Sequence, residues 1–170
     1  MPLIMMENKL IYMKRALELA FKAREEGEVP VGAVVVFESR IIGEGYNRRE
    51  ATNSPTSHAE IEAIEMASDN LKSWRLEDCD LYVTLEPCMM CSGAIVQSRI
   101  KRLFFGSRDP KAGAVRSLYN LLEDDRLNHQ VEVYEGLLAD ECSAILTEFF
   151  REVRVSQKLK KLAAEEKSDL

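Results

Sequence analysis

Histidine is scarce: the 170 residues hold two, His58 and His129. A closed metal site of two cysteines and two histidines would have to recruit both. The opening stretch MPLIMMENKL has only a short apolar run, no basic leader and no small-residue cleavage site. No export signal is expected from it, and a cytoplasmic location follows as an expectation. The four cysteines, Cys79, Cys88, Cys91 and Cys142, are then not expected to form a disulfide framework. No apolar run approaches the roughly 18 residues of a membrane span. Excess positive charge is missing too: the net charge is −6 and the sequence pI about 5.1. This argues against a general nucleic-acid binder, though not against a local basic patch. Internal repeats and linkers are also absent, so one domain over residues 1–170 is expected, with a charged tail fraying from about residue 156.

What is present is globular composition, 46% hydrophobic and 31% charged. Residues 7–26 place Leu10, Met13, Leu17, Ala20 and Phe21 at helical spacing, with Gly27 as the stop. VPVGAVVVF (29–37) is a nearly continuous β-branched run, the mark of a strand covered on both faces. RIIGEGYN (40–47) follows Glu38-Ser39 and predicts a hairpin. A polar loop, RREATNSPT, leads into a helix near 57–70. Strands are expected at 80–85, 102–107 and 130–136. A helix is expected from Pro87 to about Ser98, proline suiting the first helical position, and a long one from Ala139 past Arg154. Strands alternating with helices predict an α/β fold, a sandwich around a five-stranded mixed sheet.

Two short motifs carry the chemistry. SPTSHAEIEAIEM (54–66) contains His58 and Glu60, and Ser57-x-x-Glu60 also fits a helix-capping box. EPCMMCSGA (86–94) puts Cys88 and Cys91 on one face of a first helical turn. The positive end of that helix favours thiolate, the form that binds metal. Three readings compete. A redox C-x-x-C pair leaves His58 and Glu60 unexplained. A closed structural zinc site needs a fourth ligand, which His129 would have to supply. A catalytic zinc site needs three protein ligands and an open position for water, and His58, Cys88 and Cys91 are three. Two helix tips aimed at one point favour the third. On the helix barrel, positions 58 and 60 point about 200° apart, but at the tip both side chains can lean past the end. Glu60 can then lie beside the metal without ligating it. There it can take a proton from water, pass it to a substrate ring nitrogen and later protonate a leaving amine. Loss of ammonia from an amidine-like ring carbon is hydrolytic deamination.

H-x-E followed by P-C-x-x-C matches the zinc nucleobase deaminase signature, which the general rules of base flipping describe together with its mechanism. The likeness continues through EVPVGAVVV, IIGEGYN, LYVTLEPCMMCSGAI, FGSRDPKAGA, SLYNLL, RLNHQVEV, GLLADEC and FFR, from about residue 10 to 154. On these residues the chain resembles the bacterial tRNA-specific adenosine deaminases of the cytidine/deoxycytidylate deaminase superfamily. The resemblance implies a three-layer, cytidine-deaminase-like α/β/α sandwich. It implies formation of inosine at wobble position 34 in a tRNA anticodon, chiefly of an arginine tRNA. It implies a homodimer whose subunits both build each tRNA site, with one Zn2+ per subunit and no membrane partner. His58, Cys88 and Cys91 become zinc ligands by this match, and Glu60 the proton shuttle. Asn47 becomes a contact to the flipped nucleoside, and the Ala59 N–H faces the oxygen that replaces the amine. Asp109 and Lys111 match a loop that touches the anticodon, and Phe149, Phe150 and Arg154 a helix lining the RNA pocket.

Each of these residues has a plainer reading. Asn47 can end a strand, Asp109-Pro110 is an ordinary turn, and one of the two phenylalanines suits the core. A tRNA partner favours positive surface, and Arg48, Arg49, Arg99, Lys101, Arg102, Arg108, Lys111, Arg151 and Arg154 are candidates for a local patch. Ser57, Cys79 and Arg116 depart from the family's usual residues, and Arg116 bears on the RNA surface or a dimer contact. Two rivals stay open: a deaminase of a free base or nucleotide on the same fold, and a catalytically silent, zinc-stabilised RNA-binding module.

Overall fold

The computed structural model describes residues 3–168, with side chains from Met6 onward. Its elements in chain order are α1 (Leu3–Glu25), β1 (Gly32–Phe37), β2 (Arg40–Tyr46), α2 (Arg49–Thr52), α3 (Ala59–Leu71), β3 (Asp80–Leu85), α4 (Met89–Gln97), β4 (Arg102–Ser107), β5 (Glu132–Glu135) and α5 (Ala139–Ser168). Five strands form one sheet in the order β2-β1-β3-β4-β5. β1 pairs antiparallel with β2 and β3, while β3–β4 and β4–β5 are parallel.

The uninterrupted valines of β1 are explained by burial on both faces. Ala33 and Val35 belong to one apolar cluster, with Ala59, Ala63, Ile64, Ala67, Ile95 and Val96 from α3 and α4. Val34 and Val36 belong to a second, with Met13, Ala16, Leu17, Ala20, Cys142 and Ile145 from α1 and α5. Alternate residues of one strand thus serve opposite layers, as the pleat requires. The result is the expected α/β/α sandwich around a mixed sheet.

Local chemistry sets the ends of these elements. Gly27, at φ +78°, closes α1, and the Glu28 N–H returns to the Ala23 carbonyl at 2.9 Å. Glu38 and Ser39 both adopt left-handed backbone, the two-residue hairpin turn that matches strand twist. On β2, Gly43 and Gly45 matter for a different reason. A Cβ at either would run into the backbone of α3, so these glycines let α3 lie directly on the strand. That contact fixes where the tip of α3, and hence His58, points.

Most expected boundaries moved by a few residues, and two of the shifts are informative. Pro87 does not open α4 as its first residue. Cys88 is the N-cap, with extended backbone (φ −74°, ψ 176°), and α4 starts at Met89. The fraying tail expected from about residue 156 is helical through Ser168 instead. QKLKKLAAEEKS has neither glycine nor proline and is rich in strong helix formers, so propensity carries the helix on past its packed part. Arg24 of α1 ties the packed part down, with Nη1 to Glu148 at 3.0 Å and Nη2 to Glu152 at 2.6 Å.

Candidate metal centre and cleft

The tips of α3 and α4 meet. His58 is the N-cap of α3 and Cys88 the N-cap of α4, and neither makes a side-chain cap. Their side chains are therefore free to face each other. His58 Nδ1 lies 3.7 Å from Cys88 Sγ and 3.5 Å from Cys91 Sγ. Ligand atoms of His58, Cys88 and Cys91 all fall within 4.8 Å of one another, the one such group among the described residues. His129 is elsewhere, with Nε2 2.7 Å from the Ile100 carbonyl. It cannot complete a four-ligand site here. Cys79 and Cys142 are fully buried, and burial holds their thiols up near pKa values of about 11 and about 12. They behave as small apolar side chains.

The protons on the three-residue group are shared. A hydrogen bond from the Cys91 thiol draws Cys88 down to about 3, against its burial, and His58 adds to the pull. Cys91 keeps its proton far above the ordinary thiol range because it donates to Cys88 and is buried. Bonding to Cys88 raises His58, against burial, and Glu60 helps. Three donor atoms this close compete for protons, and a set of this kind gives its protons up when a metal binds. Donor type, spacing and the missing fourth ligand together fit a metal with one open position.

Glu60 sits beside this group and is 4% exposed. Burial drives its carboxyl up to about 7, and its own backbone N–H and the nearby His58 restrain the rise. The capping box suggested by Ser57-x-x-Glu60 is not formed. The Ser57 hydroxyl bonds to Thr52 Oγ1 at 2.8 Å, and the Glu60 carboxylate points inward to the cysteines. Buried, poised carboxyls of this kind mark functional sites.

A cleft of about 700 Å³ opens over the group. His58, Glu60 and Cys88 form its floor, and Asn47, Arg49, Arg108, Lys111, Phe150 and Arg154 are on its walls. The remaining expected contacts divide. Asn47 lines the cleft, but its Oδ1 accepts the Ala59 N–H at 3.1 Å. Ala59 is the first residue of α3 and fully buried, so its helix-end N–H needed a partner, and Asn47 supplies it. That N–H does not face the open cleft. Asp109 lines the cleft, yet its Oδ1 accepts the Lys111 and Ala112 N–H groups at 3.0 and 3.2 Å. It builds the turn that presents Lys111. Phe149 is not on the cleft wall; Phe150 is, 42% exposed. One residue along a helix is about 100° of rotation, enough to exchange the two rings.

The basic residues divide likewise. Arg49, Arg108, Lys111 and Arg154 ring the cleft, with Arg108 paired to Glu135 at 2.7 Å. Arg102 is bound to Asp80 at 2.6 Å and Lys101 to Asp78 at 3.8 Å, away from the cleft. One buried group was missed from the sequence. Glu86, 2% exposed, lies directly before Pro87-Cys88 and gathers hydrogen bonds from the loop after β4. Its place inside the familiar EPC stretch hid it.

Comparison with known proteins gives the family and the fold. The family described as MafB19-like deaminase matches residues 7–154. The chain is 49% identical over 148 residues to the tRNA-specific adenosine deaminase of Bacillus subtilis (strain 168), covering 87% of this chain and 92% of that one. It is similar to a structure from studies of A-to-I editing by tRNA:A34 deaminases at the wobble position of transfer RNA. That likeness has a TM-score of 0.77 and 46% identity over 79% of this chain and 98% of the other. The guanine deaminase of Nitrosomonas europaea shares the fold at TM-score 0.71 and 27% identity, over 82% of this chain and 83% of that one. Among the described residues no helix is long and apolar enough to cross a membrane.

Proposed function

The chain belongs to the MafB19-like deaminase family, alongside the tRNA-specific adenosine deaminases, and from that premise we propose that it converts adenosine 34 of a tRNA anticodon to inosine. Water and adenosine are consumed, and ammonia is released. The observation that carries the reading is the buried Glu60 carboxyl standing beside, and outside, a three-ligand group at the floor of an open cleft.

The metal we assign is zinc, one per chain, held by His58 Nδ1, Cys88 Sγ and Cys91 Sγ. The support is distance and donor type. Zinc–sulfur bonds of about 2.3 Å and zinc–nitrogen bonds of about 2.0–2.1 Å give tetrahedral S···N edges of roughly 3.6 Å. The observed S···N separations are 3.7 and 3.5 Å. Zinc so placed supplies water acidic enough to attack at neutral pH. Glu60 would take one proton of the attacking water and give it to the purine ring nitrogen, then carry the proton of the newly added hydroxyl to the amine as its bond to the ring carbon breaks. The Ala59 bond orients the Asn47 amide, leaving Nδ2 as the group offered to the nucleoside. Phe150 gives a stacking surface, and Arg49, Lys111 and Arg154 meet phosphates of the splayed loop. The tRNA substrate fits a cytoplasmic location. A homodimer belongs to the same reading, since Met89, Leu118 and Tyr119 are each more than half exposed and would gain by being covered.

Substrate choice tests the reading. An anticodon stem-loop with adenosine 34 should be deaminated, and free guanine and cytosine should be left untouched at matched protein concentration. Turnover of the free bases without turnover of the RNA would favour the free-base rival instead.

The Glu60 proton also sets a pH profile. Its ionised form is the base, and burial places its pKa up to about 7. The rate constant kcat/KM should therefore rise with pH and level off above that value, with a slope of about tenfold per unit on the acid side. A bound metal's positive charge moves this limb to lower pH, never higher. Activity that increases as pH falls below 6 would contradict the assignment.

A further inference from the structure

We propose that Glu86 is a positioning residue that pins the 108–117 loop, one wall of the cleft, in register with the metal-bearing turn at Pro87-Cys88. The inference rests on reading the cleft as the RNA deamination site, and goes beyond it by assigning the residue that shapes its wall.

Glu86 follows the last residue of β3, and its N–H bonds to the Ser107 carbonyl at the end of β4 at 2.9 Å. From there its side chain turns under the loop. Oε2 accepts the N–H groups of Val115, Arg116 and Ser117 at 3.1, 2.9 and 2.9 Å. Oε1 accepts the Asp109 N–H at 3.2 Å and the Ser117 hydroxyl. Both ends of the loop thus converge on one carboxylate. Backbone amides gathered this closely favour an anion between them, and among the described residues no other acceptor is bonded to these four.

The loop is also fastened to the ligand turn directly. The Ala114 N–H bonds to the Pro87 carbonyl at 2.9 Å, and Gly113 bridges to Cys88. Gly113 has no side chain for a steric reason: a Cβ there would overlap the Glu86 carboxyl. The loop's stretch Arg108, Asp109, Pro110, Lys111 and Ala112 is all on the cleft wall. None of them is in the metal-ligating group. Displacing this wall should therefore weaken substrate placement while leaving the metal and Glu60 where they are. Productive geometry tolerates only about 0.5 Å of error, so the effect should be measurable.

Glu86→Gln and Glu86→Ala separate pinning from general packing. A glutamine cannot serve all five donors. Its best orientation keeps the oxygen on the three amides of 115–117 and turns its NH2 toward Asp109, whose N–H then loses its acceptor. For metal-loaded Glu86→Gln, we expect the Asp109 amide to exchange hydrogen roughly tenfold faster, with the 115–117 amides near wild type. KM for the anticodon stem-loop should rise about 3- to 10-fold, with kcat within about twofold and zinc content unchanged. Glu86→Ala should speed exchange at all four amides and raise KM further. If it does not fold, Glu86→Gln decides alone. Unchanged exchange and unchanged KM in Glu86→Gln would overturn the proposal, and so would a fall in kcat at constant KM. A wild-type protein that forms no inosine would sink the deaminase reading instead, while exchange still reports on the pin.

Discussion

Glu60→Ala should retain its metal and lose turnover by about 10²–10⁴-fold, the range for removing a positioned acid–base group. The two halves of this expectation come from different facts. Glu60 lies outside the three-ligand group, so binding of the ion does not need it. Its carboxyl is almost wholly buried and raised to about 7, so no bulk-solvent group replaces it as a proton carrier beside the cleft floor. Folding should not suffer greatly, because an ionised buried carboxylate carries a desolvation cost that the variant escapes. Glu60→Gln makes the sharper comparison. It keeps the volume and removes only the titrating proton, and its loss should be of the same order. Metal content by atomic absorption and single-turnover inosine formation read both halves in one sample. A variant that loses metal along with activity would make Glu60 a ligand.

Cys91→Ala should lose both metal and activity, and here the two fall together. Cys91 is fully buried and lies within the same ligand cluster as His58 and Cys88. Two remaining ligands cannot close the site. Changes merely behind the ligands typically cost 10–100-fold in metal affinity, so loss of a ligand should exceed about 100-fold. Zinc content should drop from one per chain toward none, and inosine formation below detection. Chelation of the wild-type protein should have the same effect, reversed by adding zinc. His129→Ala is the internal control. Its ring is bound to the Ile100 carbonyl, so zinc content should stay at the wild-type level. A fall in zinc in that variant would restore the closed four-ligand site.

The meeting of His58, Cys88 and Cys91 was readable because their spacing is enforced by local geometry. Cys88-x-x-Cys91 straddles the first turn of a helix, and His58 caps another, so two short motifs suffice to describe a three-dimensional object. The valine run of β1 declared its double burial for a similar reason, since period and composition are local properties. What the sequence did not show was decided by how segments fold back on one another. Ser57 was available as a cap, but Thr52 engaged its hydroxyl and the cysteines engaged Glu60. The bond between the Ala59 amide and Asn47, twelve residues earlier, was likewise not visible in the sequence. Phe149 and Phe150 differ by one helical step, and only the packing angle of α5 decides which ring enters the cleft. The basic residues near 99–102 looked like part of one patch, yet Asp78 and Asp80 hold two of them at the opposite end of the strands from the cleft. Glu86 carried no signal at all. A carboxylate that serves five donors 23 to 31 residues away is visible only when the loop is folded over it.

The most direct measurement maps inosine in intact tRNA after incubation with metal-loaded protein, with Glu60→Ala in parallel at equal zinc content. Inosine at position 34 alone, formed by the wild type and absent with the variant, is the expected result. No inosine with the wild type, or equal inosine with both proteins, would contradict the assignment of this cleft and its carboxylate to wobble adenosine deamination.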